Sequence, residues 1–195
     1  MSEQLSPKAA EIVAHARLLL AAGGYNGFSY ADISERVGIS KASIHHHFPS
    51  KAELVRTVVT RYREEAREGM AHLAHQLGDP LAEINAYVDY WSSCILDGTS
   101  SFCICAMLAA ELPMIPSEIA DEVRGHFEDL TAWLTSVLEK GRASQQFHGA
   151  GKPAVEAMAL MATVHGAMLA ARAFGSPETF KTIVQPTITR LIRAA

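Results

Sequence analysis

The chain has 195 residues, 49% of them hydrophobic, a formal net charge of −4 and three cysteines. That is enough apolar residue to bury a real core in one globular body, or in a small domain joined to a larger one. No run of 18 apolar residues appears, and the first stretch, MSEQLSPKAAEIVAHARLLL, carries charges where a secretory leader needs an unbroken apolar block, so neither a membrane span, nor a leader, nor a disulfide framework from an odd number of cysteines is expected.

The expected location is therefore the cytoplasm, with thiols reduced. The net charge conceals an asymmetry. Residues 1 to 67 hold 9 Lys+Arg against 7 Asp+Glu, with four histidines besides, while residues 68 to 195 hold 8 against 14. A basic minority segment on an acidic protein points towards nucleic acid, and chance sampling of surface charge is the plain alternative.

Apolar residues recur at three-and-four spacing through nearly every segment, and none alternates as a hairpin would, so the fold expected is all-α. Breaks fall at Gly23-Gly24, Gly38, Pro49, residues 78–80, Asp97-Gly98, Pro113 with Pro116, residues 148–152 and residues 175–177, giving about nine helices without repeats. The first half carries closely spaced helix starts. Ser29 caps a helix with Asp32 three residues on, and Phe28 with Ile33 makes a hydrophobic staple. Ser40 repeats the arrangement with Ile39 and Ile44, and Ser50 with Glu53 and Leu54. Gly38 lies between the first two, where a left-handed residue turns the chain sharply. Two helices of about eight residues around a glycine turn have helix-turn-helix spacing.

The second of these helices contains GISKASIHHHF, residues 38 to 48. With about 100° per residue, Ile44 and Phe48 share the buried edge. Ala42, Ser43, His45 and His46 then point outward, with Lys41 and His47 on the flanks. This face is short, polar and mildly basic, and its imidazoles can donate to phosphates or base edges. Three consecutive histidines diverge around a helix and cannot converge on one metal ion. His72 and His75 are three apart but lack an evident third ligand, so no metal is expected, nor any cofactor. A catalytic reading of the triplet lacks a nucleophile and an orienting acid.

The segment GGYNGFSYADISERVGISKASIHHHFPSKAELV, residues 23 to 55, resembles the N-terminal DNA-binding domain of the TetR family of transcriptional regulators. The likeness rests on the aromatic before Ser29, Ala31-Asp32-Ile33, Gly38-Ile39-Ser40, His47-Phe48 and Ser50-Lys51. It implies a three-helix helix-turn-helix domain over 1–50, linked by a fourth helix over 51–77 to a ligand-binding and dimerisation domain over 51–195. It implies that the third helix enters the major groove, with Ala42, Ser43 and His46 facing bases. Lys41 joins them or binds a phosphate, and Ser29, Tyr30, His45, His47 and Lys51 face the DNA backbone. His45 stands where the family often has tyrosine, so its phosphate contact is expected to be weaker or partly dependent on pH.

A recognition helix this short reads few base pairs, so two copies on a two-fold site are needed. Residues 153–172, rich in Ala and Gly, and residues 179–192, with Phe180, Ile183, Val184, Ile188 and Leu191, suit a homodimer interface like the family's, or an ordinary intrachain core. Pro186 is expected to kink or interrupt the last helix. Tyr87, Trp91, Phe102, Met107, Met114, Phe127, Trp133 and Met161 are candidates to line an apolar effector pocket, or simply core. Residues 102–111, FCICAMLAAE, are similar to the Cys-apolar start of the central helix in a branch of the family that includes electrophile-sensing repressors, with Cys103 on the matching position. The resemblance points to an apolar or electrophilic effector and to a Cys103 that such a ligand alkylates, while the reading the residues themselves favour is that Cys103 and Cys105 are buried, inert thiols. The whole reads as a cytoplasmic repressor, without enzymatic activity, released from a palindromic double-stranded operator by a small molecule. The rival reading is a helical enzyme or ligand carrier using Cys103 or His165.

Overall fold

The structure, a computed structural model, describes residues 5–98, 102–149 and 151–192. Among the described residues it has nine α-helices and no strand: α1 (Pro7–Gly23), α2 (Tyr30–Val37), α3 (Lys41–His47), α4 (Lys51–Leu77), α5 (Pro80–Asp97), α6 (Ile104–Ala109), α7 (Ser117–Ala143), α8 (Pro153–Phe174) and α9 (Glu178–Ile192). The chain divides into two compact units, Met1–Glu65 with Phe102–His126, and Ala66–Ser101 with Phe127–Ala195. The first takes the whole three-helix head together with α6, and α4 and α7 each contribute to both.

The start signals in the head act as the sequence requires. Ser6 accepts the Ala9 N–H at 3.2 Å, and Pro7 occupies the first helical position of α1, where its missing N–H is no loss. Ser29 and Asp32 form a full capping box on α2, the Ser29 N–H reaching the carboxylate at 2.7 Å. Gly38 adopts φ 68°, and both its N–H and that of Ile39 turn back to the Ser34 carbonyl. The Ser34 hydroxyl closes the turn by donating to the Ile39 carbonyl at 2.6 Å. Ser50 accepts the Glu53 N–H at 3.1 Å and opens α4. Behind these caps Ile12, Leu20, Ile33, Ile44 and Leu54 are fully buried, each contributing roughly 1.5–3 kcal/mol.

In the second unit Asp79 caps α5, and Ile84, Val88 and Trp91 bury the face that the three-and-four spacing marks. α8 packs on α9, and the buried residues include Leu160, Val164, Ala167 and Met168 on the first and Phe180, Val184 and Ile188 on the second. By length and composition α8 is the one helix, among the described residues, apolar enough to cross a membrane. Its apolar residues divide into that packed side and an open one. Pro186 does not interrupt α9, which runs continuously from Glu178 to Ile192. The proline sits on the exposed side, where solvent can satisfy the carbonyl that loses its N–H partner.

Candidate nucleic-acid interface and ligand domain

α3 is seven residues long, and its buried edge is the one expected, although Ser43 is less open and Lys41 more open than the wheel suggests. Ile44 is fully buried and Phe48 nearly so, while Lys41, Ala42, His45 and His46 are exposed and Ser43 and His47 half-buried. The Ser40 hydroxyl accepts the Ser43 N–H at 3.1 Å, which fixes the first turn. The outward row is therefore presented on a rigid helix rather than a loop.

The flanking candidates are tied to the scaffold. The Tyr30 hydroxyl donates to the Phe48 carbonyl at 2.8 Å, and its ring lies 4.7 Å from the His45 ring. Burial, helped by Glu53 and Tyr25, pushes the Tyr30 pKa up to about 12, so it remains a neutral donor. His45 places Nδ1 3.2 Å from the Pro49 carbonyl, and the His46 and His47 rings meet edge to face at 5.6 Å. Ser29 is exposed and shares the Asp32 carboxylate through both its N–H and its hydroxyl. Lys51 donates to the Phe28 carbonyl and lies over the rings of Phe28 at 4.2 Å and Tyr25 at 4.8 Å. Burial lowers its pKa, and the negative charges of Glu111 and Asp32 oppose that.

One residue of this region carried no local signal. Glu111, in the turn after α6, accepts the N–H of Tyr25 at 2.6 Å and of Asn26 at 3.3 Å, and the Asn26 side-chain amide at 3.2 Å. It thereby clamps the connection between α1 and α2. Its partners lie more than 80 residues away, a separation no periodicity encodes.

Cys103 is completely buried at the start of α6, where the Tyr62 hydroxyl donates to its sulfur at 3.3 Å and His126 Nε2 stands 3.8 Å away. Cys105 is equally buried, and burial raises its pKa well above the usual range, with the adjoining Cys103 adding to the shift and Arg63 opposing it. All three cysteines are buried, and none is in a disulfide among the described residues.

The remaining effector candidates fall in both units. Phe102 is buried and Met107 half-buried in the first. In the second, Tyr87 and Trp91 are buried and Phe127 and Met161 half-buried. Tyr87 meets Trp133 edge to face at 5.6 Å, Phe127 meets His165 at 5.3 Å, and the Thr131 hydroxyl points to the Met161 sulfur at 3.5 Å. Met114 is 73% exposed and lines no interior. Among the described residues no group of His, Cys, Asp or Glu is placed to hold a metal ion.

A capped two-helix turn with an open polar face, set on an otherwise helical chain, defines a helix-turn-helix DNA-binding regulator. Residues 12–58 match the family described as bacterial regulatory proteins, tetR family, and residues 80–186 match the tetracyclin repressor-like C-terminal domain. A TetR-family transcriptional regulator from Agrobacterium tumefaciens is 50% identical, superposes with a TM-score of 0.93, and the match covers 95% of this chain and 98% of that one. The chain belongs to the TetR family of transcriptional regulators. Its helix-turn-helix domain is the DNA-binding domain, and its C-terminal helices are the ligand-binding domain. The same fold recurs in a TetR regulator from Legionella pneumophila at 24% identity and TM-score 0.85, covering 97% of this chain and 100% of that one. It recurs also in the reduced form of E. coli NemR, at 21% identity and TM-score 0.80, covering 94% and 97%. A search of curated proteins finds no match.

Proposed function

We propose that this regulator is a homodimeric repressor that sets α3 of each protomer in the major groove of a palindromic operator, and that a small molecule bound among the C-terminal helices releases it. The observation that carries the proposal is the two-sidedness of α3: Ile44 and Phe48 anchor it inside while Ala42, His45 and His46 stand outside on a capped helix. Ala42, Ser43 and His46 meet base edges, and Lys41 meets a base or a phosphate. The α2 end at Ser29, with His45, His47 and Lys51, meets the DNA backbone. Tyr30 serves that surface chiefly as a positioning residue, because its hydroxyl proton is already given to Phe48. Such contacts place the protein in the compartment that holds the chromosome, the bacterial cytoplasm.

The two protomers join through α8 and α9. Phe180, Val184 and Ile188 are core within each chain, so the joining surface is the open side of α8, with Val155, Met158 and Leu169, together with Ile183 of α9. The effector meets residues among Tyr87, Trp91, Phe127 and Met161, or Phe102, Cys103 and Met107. Complete burial of Cys103 favours a non-covalent effector over a fast electrophile. Selection from random duplexes tests the proposal. It should return a two-fold sequence with half-sites one helical turn, about 34–36 Å, or a multiple apart. Equal binding of all duplexes at low ionic strength would sink it.

A further inference from the structure

Glu83 carries the argument. It lies in the first turns of α5, its side chain is 1% exposed, and no donor among the described residues hydrogen-bonds either carboxylate oxygen. The nearest cation is the Lys140 ammonium on α7, 3.7 Å from Oε1, beyond hydrogen-bond reach and on a side chain 48% exposed. A carboxylate withdrawn from water without donors is unfavourable, and such groups concentrate where a ligand supplies what is missing. The surroundings are specific. One turn along α5 is Tyr87, whose ring meets Trp133 of α7 edge to face, and Trp133 in turn stands two turns before Lys140. The indole N–H of Trp133 is buried and likewise has no acceptor among the described residues. At the other end of the seam the Gln146 side-chain amide donates to Asp79 at 2.5 Å, leaving its own carbonyl oxygen buried without a donor.

We propose that this seam between α5 and α7 is the effector site, and that its ligand is a small organic cation, an ammonium or amidinium group on an apolar or aromatic body. The charged group donates to Glu83 in place of the distant Lys140, and the body lies against Tyr87 and Trp133, where ring faces favour a cation and its adjoining methylenes. An oxygen on the ligand, where present, accepts from the Trp133 N–H. Lys140 is then a competitor at the mouth of the site, since its charge must be moved aside or screened for a second cation to enter. An anionic effector, or a neutral one without an N–H or O–H, leaves Glu83 as unsatisfied as before, and a neutral donor offers only an uncharged and weaker hydrogen bond. The inference rests on the proposed effector-controlled repressor and names the chemistry of its ligand.

The test uses the full-length protein and three probes of one shape: phenethylammonium, 2-phenylethanol and phenylacetate. Binding is read by the fluorescence of Trp91 and Trp133, and operator binding is measured in parallel. Phenethylammonium should bind at least about tenfold tighter than the alcohol, the increment a charge-assisted hydrogen bond supplies, with phenylacetate weakest. Glu83→Gln should abolish that preference while leaving the alcohol's affinity and the unliganded operator affinity unchanged. Because Glu83→Gln can also disturb packing, Lys140→Ala is the second variant. It should strengthen phenethylammonium binding severalfold, whereas an ion pair that is purely structural would lower the melting temperature and leave binding untouched. Absence of cation preference, or its survival in Glu83→Gln, overturns the assignment. If the operator is bound but the probes do not discriminate, only the ligand chemistry fails; if no operator is bound, the regulatory proposal itself fails.

Discussion

The hydroxyl of Tyr30 donates a 2.8 Å hydrogen bond to the carbonyl of Phe48, joining the first residue of α2 to the residue that ends α3. The bond ties the outward row of α3 to the neighbouring helix at a carbonyl that α3 itself leaves unpaired. Tyr30→Phe removes it and keeps the ring against His45. Stability should fall by about 0.5–1.5 kcal/mol in chemical denaturation. Operator and scrambled duplex should both bind somewhat less tightly, with their ratio preserved, because the tyrosine orients the reading surface without reading. A change in sequence preference would instead make Tyr30 a base-reading residue.

Lys51 and His46 should separate in a different way. Lys51 already serves the fold, with one proton given to the Phe28 carbonyl and two rings beneath its ammonium. Two further donors remain for a phosphate. Lys51→Ala should weaken all duplexes alike and lower the slope of log affinity against log salt by about 0.9, the value for one phosphate. It should also lower the melting temperature. His46→Ala, at an exposed position, should leave the melting temperature alone and flatten the preference for the operator. Equal losses on cognate and scrambled duplexes for both variants would refute the assignment of roles.

Asp32 gives the head an acid-sensitive cap. Its carboxylate accepts the Ser29 hydroxyl at 2.8 Å and the Ser29 N–H at 2.7 Å, and these bonds lower its pKa. Because the folded pKa lies below that of the unfolded chain, the cap stabilises at pH above the unfolded value of about 4 and is lost as pH falls through the folded value. Asp32→Ala should therefore melt at a lower temperature than the parent at pH 7, and the two melting curves should converge as the pH is taken below 4. A gap unchanged across that range would mean that the carboxylate contributes nothing beyond what its protonated form supplies.

Much of this architecture is legible in local chemistry. Ser29, Ser40 and Ser50 cap helices with partners within three residues, Gly38 is left-handed where a turn was expected, and Ile44 with Phe48 falls on the buried side by simple periodicity. The eight breaks coincide with the connections between the nine helices for the same reason, since glycine and proline act on the backbone where they stand. What periodicity does not yield is the partner of a buried polar group. Glu111 with Tyr25, Tyr62 with Cys103, and Glu83 with Lys140 are joined only by the folded path of the chain. The same limit affects α9, whose apolar residues suit a dimer surface and an intrachain core equally until the packing of Phe180, Val184 and Ile188 on the inside is seen. Pro186 illustrates the converse: an exposed position tolerates a proline that a buried one would not.

Glu111 should be worth more to the head than its place in a turn suggests. It satisfies three donors of the connection between α1 and α2, two of them backbone N–H groups in the turn that follows the Gly24 cap of α1. Glu111→Ala should cost about 1.5–3 kcal/mol, the range for hydrogen bonds to a charged group. Hydrogen exchange localises the effect: the Tyr25 and Asn26 amides should exchange faster, while those of α5 and α9 keep their parental rates. Uniform acceleration through the whole chain would show that the substitution simply unfolds the protein.

The open side of α8 yields the last prediction. Val155, Met158, Ala162, Gly166 and Leu169 follow one another at spacings of three and four, so they form one stripe, and all are exposed in the single chain. Gly166 is the narrowest point of the stripe, and a Cβ added there meets nothing within 4 Å beyond its own turn of helix. Within the monomer Gly166→Arg should therefore be harmless, even favourable by roughly 0.5–1 kcal/mol, since glycine is a poor residue for a helix interior. Against a second α8 the same arginine would fill the space that two backbones need for close approach and would carry a charge into an apolar contact. Light scattering should find the parent and Gly166→Ala as dimers and Gly166→Arg at half that mass, with its helical circular dichroism intact. Operator affinity should fall steeply in the same variant, because each half-site is then bound alone. A Gly166→Arg protein that remains a dimer at micromolar concentration would move the interface to another surface. The intact helix signal is what gives the experiment its force, because it separates loss of association from loss of fold.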